Sequence, residues 1–207
     1  MIKPYYQDKW VTIYHGDCRE ILPTLEPVDL VLTDPPYGVN KAEWDQNYDI
    51  SALSIPIARK LGLMCGVSNI PYTAHQIGNL IYKWMLIAHL INGMTRGAMG
   101  YGNYIPCLVY TDGVASVHGL TTDCLDIVVG AEPKPNHPSP KPSRVIDWFI
   151  ERLSESNETI LDPFLGSGTT AVCAKKLGRK CIGIEISEKY CEIAVKRLAQ
   201  EVMELGL

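Results

Sequence analysis

An aspartate followed by two prolines, Asp34-Pro35-Pro36, and then by Tyr37 and Gly38, is the group of residues in this sequence best suited to chemistry. Two consecutive prolines fix φ and remove two N–H donors, so the carbonyls beside them lack ladder partners and can face a ligand. The Asp34 carboxylate, a main-chain carbonyl of Asp34 or Pro35 and the flat ring of Tyr37 together suit a planar base. The exocyclic NH2 of such a base has two hydrogens to donate. Taken alone, Asp-Pro-Pro is equally well explained as a stiff turn after a strand.

A second constellation lies near the other end of the chain. Gly166-Ser167-Gly168-Thr169-Thr170-Ala171 follows a short apolar run at 159–161 and opens a helical pattern, and Glu185 ends the next apolar run. Strand, glycine loop, helix and a later acidic residue form the dinucleotide fingerprint: glycines let the backbone approach the ligand, the helix N-terminus offers N–H groups, and the carboxylate accepts ribose hydroxyls. A nucleoside cofactor is expected, with NAD and S-adenosylmethionine both open at this point.

The elements that must hold these groups follow from the apolar pattern. Strands are expected at 10–14, 28–33, 63–67, 84–91, 104–110, 126–129, 159–161 and 180–184. Helices are expected at 18–25, 51–61, 73–82, 143–157, 169–177 and from 187 onward, the last with Tyr190, Ala194, Leu198, Val202 and Leu205 as its buried stripe. Strands alternating with helices indicate a parallel α/β sheet. Residues 92–103 form a glycine-rich loop with one cation, Arg96, and 133–142 are too rich in proline for a helix or a central strand.

Composition sets the outer bounds. At 207 residues the chain is long enough for one domain with a full core, and the formal net charge of −4 argues against nonspecific polyanion binding while allowing a local basic face. No apolar run is long enough to span a bilayer and Met1-Ile2-Lys3-Pro4 does not open a signal peptide, so a soluble cytoplasmic protein is expected. The 7 cysteines are odd in number and show no C-x-x-C pair, which reads as reduced core thiols. His118, Cys124 and His137 lack ligand spacing, and no metal is expected.

Asp34-Pro35-Pro36-Tyr37-Gly38 and Asp162-Pro163-Phe164-Leu165-Gly166-Ser167-Gly168-Thr169, in that order and with His137-Pro138-Ser139-Pro140-Lys141-Pro142 between them, resemble the motifs of the β-class DNA amino-methyltransferases. In that family the catalytic segment precedes the cofactor segment, a circular permutation of the common methyltransferase order. The likeness covers residues 10–40 and 136–200. It implies a Rossmann-like α/β fold, mostly parallel with helices on both faces. It implies one domain over 1–207, with a catalytic half (10–110), a short target-recognition segment within 92–136 and a cofactor half (137–207).

The implied cofactor is S-adenosyl-L-methionine. Asp162, Phe164, Gly166, Ser167, Gly168 and Thr169 would form its loop, Glu185 would hold the ribose, Asp17 and Cys18 would meet its adenine, and Ser139 and Lys141 would flank its methionine part close to Asp34. Asp34, Pro35, Pro36 and Tyr37 would form the target-base site, and aspartate rather than serine at position 34 implies adenine N6 over cytosine N4. Double-stranded DNA is the implied partner, gripped by Arg96, Lys41, Lys141 and Arg144. Residues 92–136 are short for a recognition region, so a brief target sequence or a second subunit of a homodimer is expected. An RNA or protein-amide methyltransferase would use a similar corner, and a catalytically silent DNA-binding protein would keep the fold. An NAD oxidoreductase would leave Asp34-Pro35-Pro36 unexplained.

Overall fold

The computed structural model describes residues 2–36, 58–67, 70, 76–93, 95–97, 100–114, 122–128, 130 and 141–204. In chain order its elements are β1 (Tyr6–Gln7), β2 (Val11–His15), α1 (Cys18–Ile21) running into a 3-10 turn (Leu22–Thr24), β3 (Val28–Thr33), β4 (Ala58–Met64), β5 (Gln76–Ile77) and β6 (Leu80–Leu90). There follow β7 (Thr95–Gly97), β8 (Gly100–Gly102), β9 (Tyr104–Thr111), β10 (Cys124–Ile127), α2 (Ser143–Leu153), β11 (Thr159–Asp162), α3 (Thr169–Lys176), β12 (Lys180–Glu185) and α4 (Glu188–Glu204).

Most strands join one sheet in the order β1-β2-β12-β11-β3-β4-β9-β6-β10, with β5 paired to β6. From β2 to β4 every pairing is parallel; β9 then runs antiparallel between β4 and β6, and β10 is parallel to β6. Such sheets need apolar cover on both faces. Val11, Ile13, Leu30, Leu32, Cys107 and Val109 pack one face under Phe149, Ile150, Ala171, Val172, Ala194 and Leu198, so α2, α3 and α4 share that side. Val31, Leu161, Ile184, Leu108 and Tyr110 point the other way, against Cys18, Ile21 and Leu22 of α1 and the 3-10 turn. This is a Rossmann-like α/β fold. None of the helices among the described residues is long and apolar enough to cross a membrane.

Three expectations are corrected. Residues 58–61, expected to close a helix over 51–61, open β4, which runs to Met64 rather than Val67; residues 51–57 lie outside the described residues. Ala58, Arg59, Lys60 and Leu61 favour helix, but β4 is paired on both sides and buried nearly throughout, and that burial outweighs propensity. Residues 76–82, expected to be helical, form the β5–β6 hairpin, with Ile77 opposite Leu80 and Gly78 at φ 60; Gly78-Asn79 is the turn signal. The glycine-rich loop is a small hairpin of its own, β7 against β8, with Arg96 opposite Tyr101. Two ends also move. α2 stops at Leu153, where Ser154 turns to an extended backbone while its N–H and hydroxyl both donate to the Ile150 carbonyl, the hydroxyl at 2.7 Å, and in α4 Cys191 lies deeper than the half-buried Tyr190. The 7 thiols are free, and all but Cys124 are buried.

Phe149 is fully buried between α2 and the sheet. Phe149→Ala should cost about 3–5 kcal/mol, read as a lower urea midpoint at unchanged slope, while Arg144→Ala on the exposed side of the same helix should change stability by less than about 0.5 kcal/mol.

Candidate functional site

Parallel strands place their C-terminal ends on one rim, and here those ends carry the residues singled out from the sequence. Across the sheet the rim reads Asp17 after β2, Glu185 closing β12, Asp162 closing β11, Asp34 after β3 and Cys65 after β4. From β3 the chain passes to β4 on one side, and from β11 it passes to β12 on the other, so the strand order reverses between β3 and β11. Crevices at such reversals are where open α/β sheets bind ligands. Asp34 and Asp162 flank this one.

Asp162 does not face outward. It is 3% exposed, and its Oδ1 accepts the Thr33 hydroxyl at 2.8 Å and the Phe164 N–H at 3.1 Å. Burial pushes its carboxyl up to about 6, against the lowering pull of bonds from Thr170, Thr33 and Phe164, and the Asp34 charge adds to the rise. The side chain thus ties the ends of β3 and β11 to the first turn of α3. Asp162 opens the loop expected to hold a cofactor, and its carboxylate is spent on the protein.

The loop after it is shaped by close approach. Gly168 caps α3 at φ 84, and a Cβ there would lie 2.6 Å from the Cβ and 3.0 Å from the Cα of Ala194 in α4. Only glycine meets both demands. Arg197 of α4 fastens the loop from behind, donating to the Ser167 carbonyl at 2.8 Å, the Ser167 hydroxyl at 3.3 Å and the Thr169 hydroxyl at 3.0 Å. Ser167 and Thr169 are buried, and Phe164 is half-buried against the core on the α1 side.

Glu185 is 8% exposed and accepts one backbone N–H on each oxygen, Gly166 at 2.8 Å on Oε2 and Ser187 at 2.8 Å on Oε1. Burial raises its carboxyl above the ordinary range, opposed by bonds from Ser187, Gly166 and Ile186 and by His15. Together the two oxygens offer about four acceptor positions, more than the backbone donors of Gly166, Ser187 and Ile186 fill. The acceptor pair, held in a fixed orientation next to a glycine loop whose Cβ space is already filled, fits a ribose diol and hence a nucleoside cofactor.

Asp17 caps α1 through the Arg19 N–H at 2.9 Å, and the Arg19 guanidinium lies across both of its oxygens; these bonds hold the carboxyl below its usual value despite partial burial. Cys18 is buried with Ile21 and Leu22. Asp34 is three-quarters buried with side-chain exposure of 25%, and its Oδ2 is ion-paired with Lys141 Nζ. Lys141, expected at the cofactor and on the DNA face, is therefore turned into the crevice. Pro35 is buried and Pro36 half-buried, Arg144 is exposed at the start of α2, and Tyr37, Lys41 and Ser139 lie outside the described residues. Arg96 is described in its backbone, in β7.

Several residues went unread in the sequence. Thr33, Thr170 and Arg197 act across long separations, with no local signature. Cys65 lies close enough to Asp34 for that carboxylate to add to the effect of burial, which pushes the thiol up to about 11 and keeps it neutral. At the foot of the β7–β8 hairpin His89 joins Asp126 (2.7 Å) and Asn103 (2.8 Å) and stacks on Tyr104 at 5.0 Å. Because β6 runs parallel to β3, that hairpin rises from the rim that carries Asp34.

Residues 119–196 match the family described as DNA methylase. The chain is similar to the type II methyltransferase M2.LlaDCHI of Lactococcus lactis subsp. cremoris, 26% identical over 252 residues covering 96% of this chain and 93% of the relative. That alignment is longer than this chain, so the relative carries segments that the 207 residues lack. It is likewise similar to the DNA adenine methyltransferase YhdJ of Escherichia coli K12, 26% identical over 244 residues covering 90% of this chain and 82% of that one. Among solved structures, the M1.HpyAVI–SAM complex superposes with a TM-score of 0.74 at 27% identity, covering 91% of this chain and 98% of the other.

Asp162 yields a pH signature that does not involve a ligand. With the folded value near 6 and the ordinary value 3.8, its contribution to stability is fully present below pH 3.8 and is lost as pH rises through about 6. In paired urea titrations Asp162→Asn should therefore gain on the wild type between those pH values and hold a constant offset above them. An offset that does not vary with pH would remove the buried charge from the account.

Proposed function

We propose that the chain is a member of the N6-adenine and N4-cytosine DNA methyltransferase family and that it transfers a methyl group from S-adenosylmethionine to adenine N6 in DNA. The reading is carried by one observation: a three-quarters buried carboxylate backed by two prolines, Asp34-Pro35-Pro36, stands at the strand-order reversal beside a glycine loop and a buried ribose-type acceptor.

Glu185 would hold the cofactor's ribose, the 166–168 loop and the start of α3 would pass along its middle, and the rim at Asp17 would meet its adenine. When bound, S-adenosylmethionine supplies a methyl that is already electrophilic on a sulfonium. The protein's task is the amine, whose lone pair is delocalised into the base. Asp34 and a main-chain carbonyl of Asp34 or Pro35 would accept its two N–H groups, which favours the more tetrahedral nitrogen that frees the lone pair. The same oxygens would stabilise the positive charge that grows there, with little reorganisation because the proline pair is stiff. Holding the amine in line and keeping water out supplies the rest. The amine is inside the duplex, so the base must be flipped, and Tyr37 would stack on it.

Adenine is favoured by aspartate at position 34, the commoner residue there in adenine enzymes. For the DNA, the hairpin of β7 and β8 rises from the same rim, and with exposed Arg144 it supports a grip on the duplex beside the flipped base. The small recognition segment suits a brief target sequence, or a homodimer in which a second copy completes the grip.

Nucleoside mass spectrometry of unmodified DNA incubated with the protein and cofactor should show N6-methyladenine. Asp34→Ala should lower the rate by about 10²–10³, the scale for losing a preorganised charge-stabilising group, while the protein stays folded. N4-methylcytosine as sole product would overturn the base assignment, and turnover near wild type in Asp34→Ala would remove Asp34 from the mechanism.

A further inference from the structure

Asp34 has an uncommon problem of solvation. An aspartate at the end of a strand usually turns its carboxylate onto the N–H groups one or two residues ahead. Here those residues are Pro35 and Pro36, which have none. The carboxylate is nevertheless three-quarters buried, and a charge so placed needs donors. Lys141, 107 residues later in the chain, brings its ammonium to Oδ2 and is itself 16% exposed.

Lys141 stands between Pro140 and Pro142, so its backbone is stiff while its four-carbon stem is not. The ammonium can leave Asp34 by side-chain rotation, without moving α2. Chemically it presents N–H donors to the carboxylate, as the target amine must, and it carries the charge that the amine acquires during transfer. Both cannot remain on Asp34 at the moment of reaction, because a second cation beside the developing one would oppose it.

We propose that Lys141 is a placeholder for the target amine: it keeps the Asp34 carboxylate ion-paired and aimed into the crevice until a flipped base arrives, and base entry exchanges the ammonium for the amine. Lys141 is thus a positioning residue acting through Asp34. The proposal rests on the methyltransferase reading, but the ion pair and its displacement can be measured without turnover.

The test labels the lysines of the full-length protein with an amine-acylating reagent and quantifies each site by mass spectrometry. Lys141 should react several-fold faster in Asp34→Asn than in the wild type. Single-stranded oligodeoxyadenylate, a probe that presents bases needing no flip, should speed Lys141 labelling in the wild type. Equal rates in the wild type and Asp34→Asn would eliminate the ion pair, and unchanged or slower labelling of Lys141 with the oligonucleotide bound would eliminate displacement and leave a phosphate contact instead. In steady-state assays on unmodified DNA, Lys141→Met should lower KM for DNA about five-fold, at the upper end of what a solvent-accessible ion pair is worth, with Lys141→Arg returning KM to wild type or above. A raised KM in Lys141→Met, or a fall in kcat alone, would overturn the placeholder. A wild-type protein with no methyl transfer would instead defeat the functional reading and leave the labelling result standing.

Discussion

The tie between Thr33 and Asp162 closes the crevice on which the rest of the site depends. Where the strand order reverses, β3 and β11 are paired in register at Leu30–Ile160 and Val31–Leu161, and beyond that register a side-chain tie can hold their ends together. The Thr33 hydroxyl on Asp162 Oδ1 does so, with Phe164 and Thr170 completing the carboxylate's partners. Each such bond is worth about 1 kcal/mol net, against a cost of several kcal/mol for burying a charge, so desolvation prevails and the carboxyl rises to about 6. The protein accepts that cost at the point where the 162–168 loop and the Asp34-Pro35-Pro36 corner meet.

From this tie the other features follow in order. The 162–168 loop leaves β11 in a set direction, Gly168 brings α3 against Ala194 of α4, and Arg197 reaches back from α4 to hold Ser167 and Thr169. Glu185, one strand away, accepts the Gly166 N–H, which joins it to the loop. On the other side Asp34 departs from β3 immediately after Thr33, and the two prolines carry that fixed position forward without further hydrogen bonds. The Asp34-Pro35-Pro36 corner and the 162–168 loop are thus two ends of one bridge.

Much of this was legible in the sequence, where residue type and local order coincide. β3 was read as 28–33 because its apolar run ends in a chemically distinctive turn, and the Gly166 to Glu185 unit was read because its spacing is set by one strand-helix-strand crossover. β4 was misread because an interior strand buried on both faces loses its period-2 signature, leaving the helical bias of Ala58, Arg59, Lys60 and Leu61 to mislead; Lys60 is buried and ion-paired with Glu158 at 3.3 Å. The Gly78-Asn79 turn signal was present and was outweighed by a helical reading of its flanks. What could not be read locally was the set of side-chain ties, Thr33 to Asp162, Arg197 to Ser167 and Lys141 to Asp34, since each joins residues brought together only by the topology.

The central claim is that a single cofactor lies across β12, β11 and β3, with its ribose on Glu185 and its sulfur toward Asp34. A crystal structure of the protein with the demethylated cofactor, S-adenosylhomocysteine, tests it most directly. The account predicts ribose hydroxyls within hydrogen-bond distance of Glu185 and the sulfur on the Asp34 side of the 166–168 loop. A ligand seated over β4, β9 and β6, or one whose ribose ignores Glu185, would contradict it.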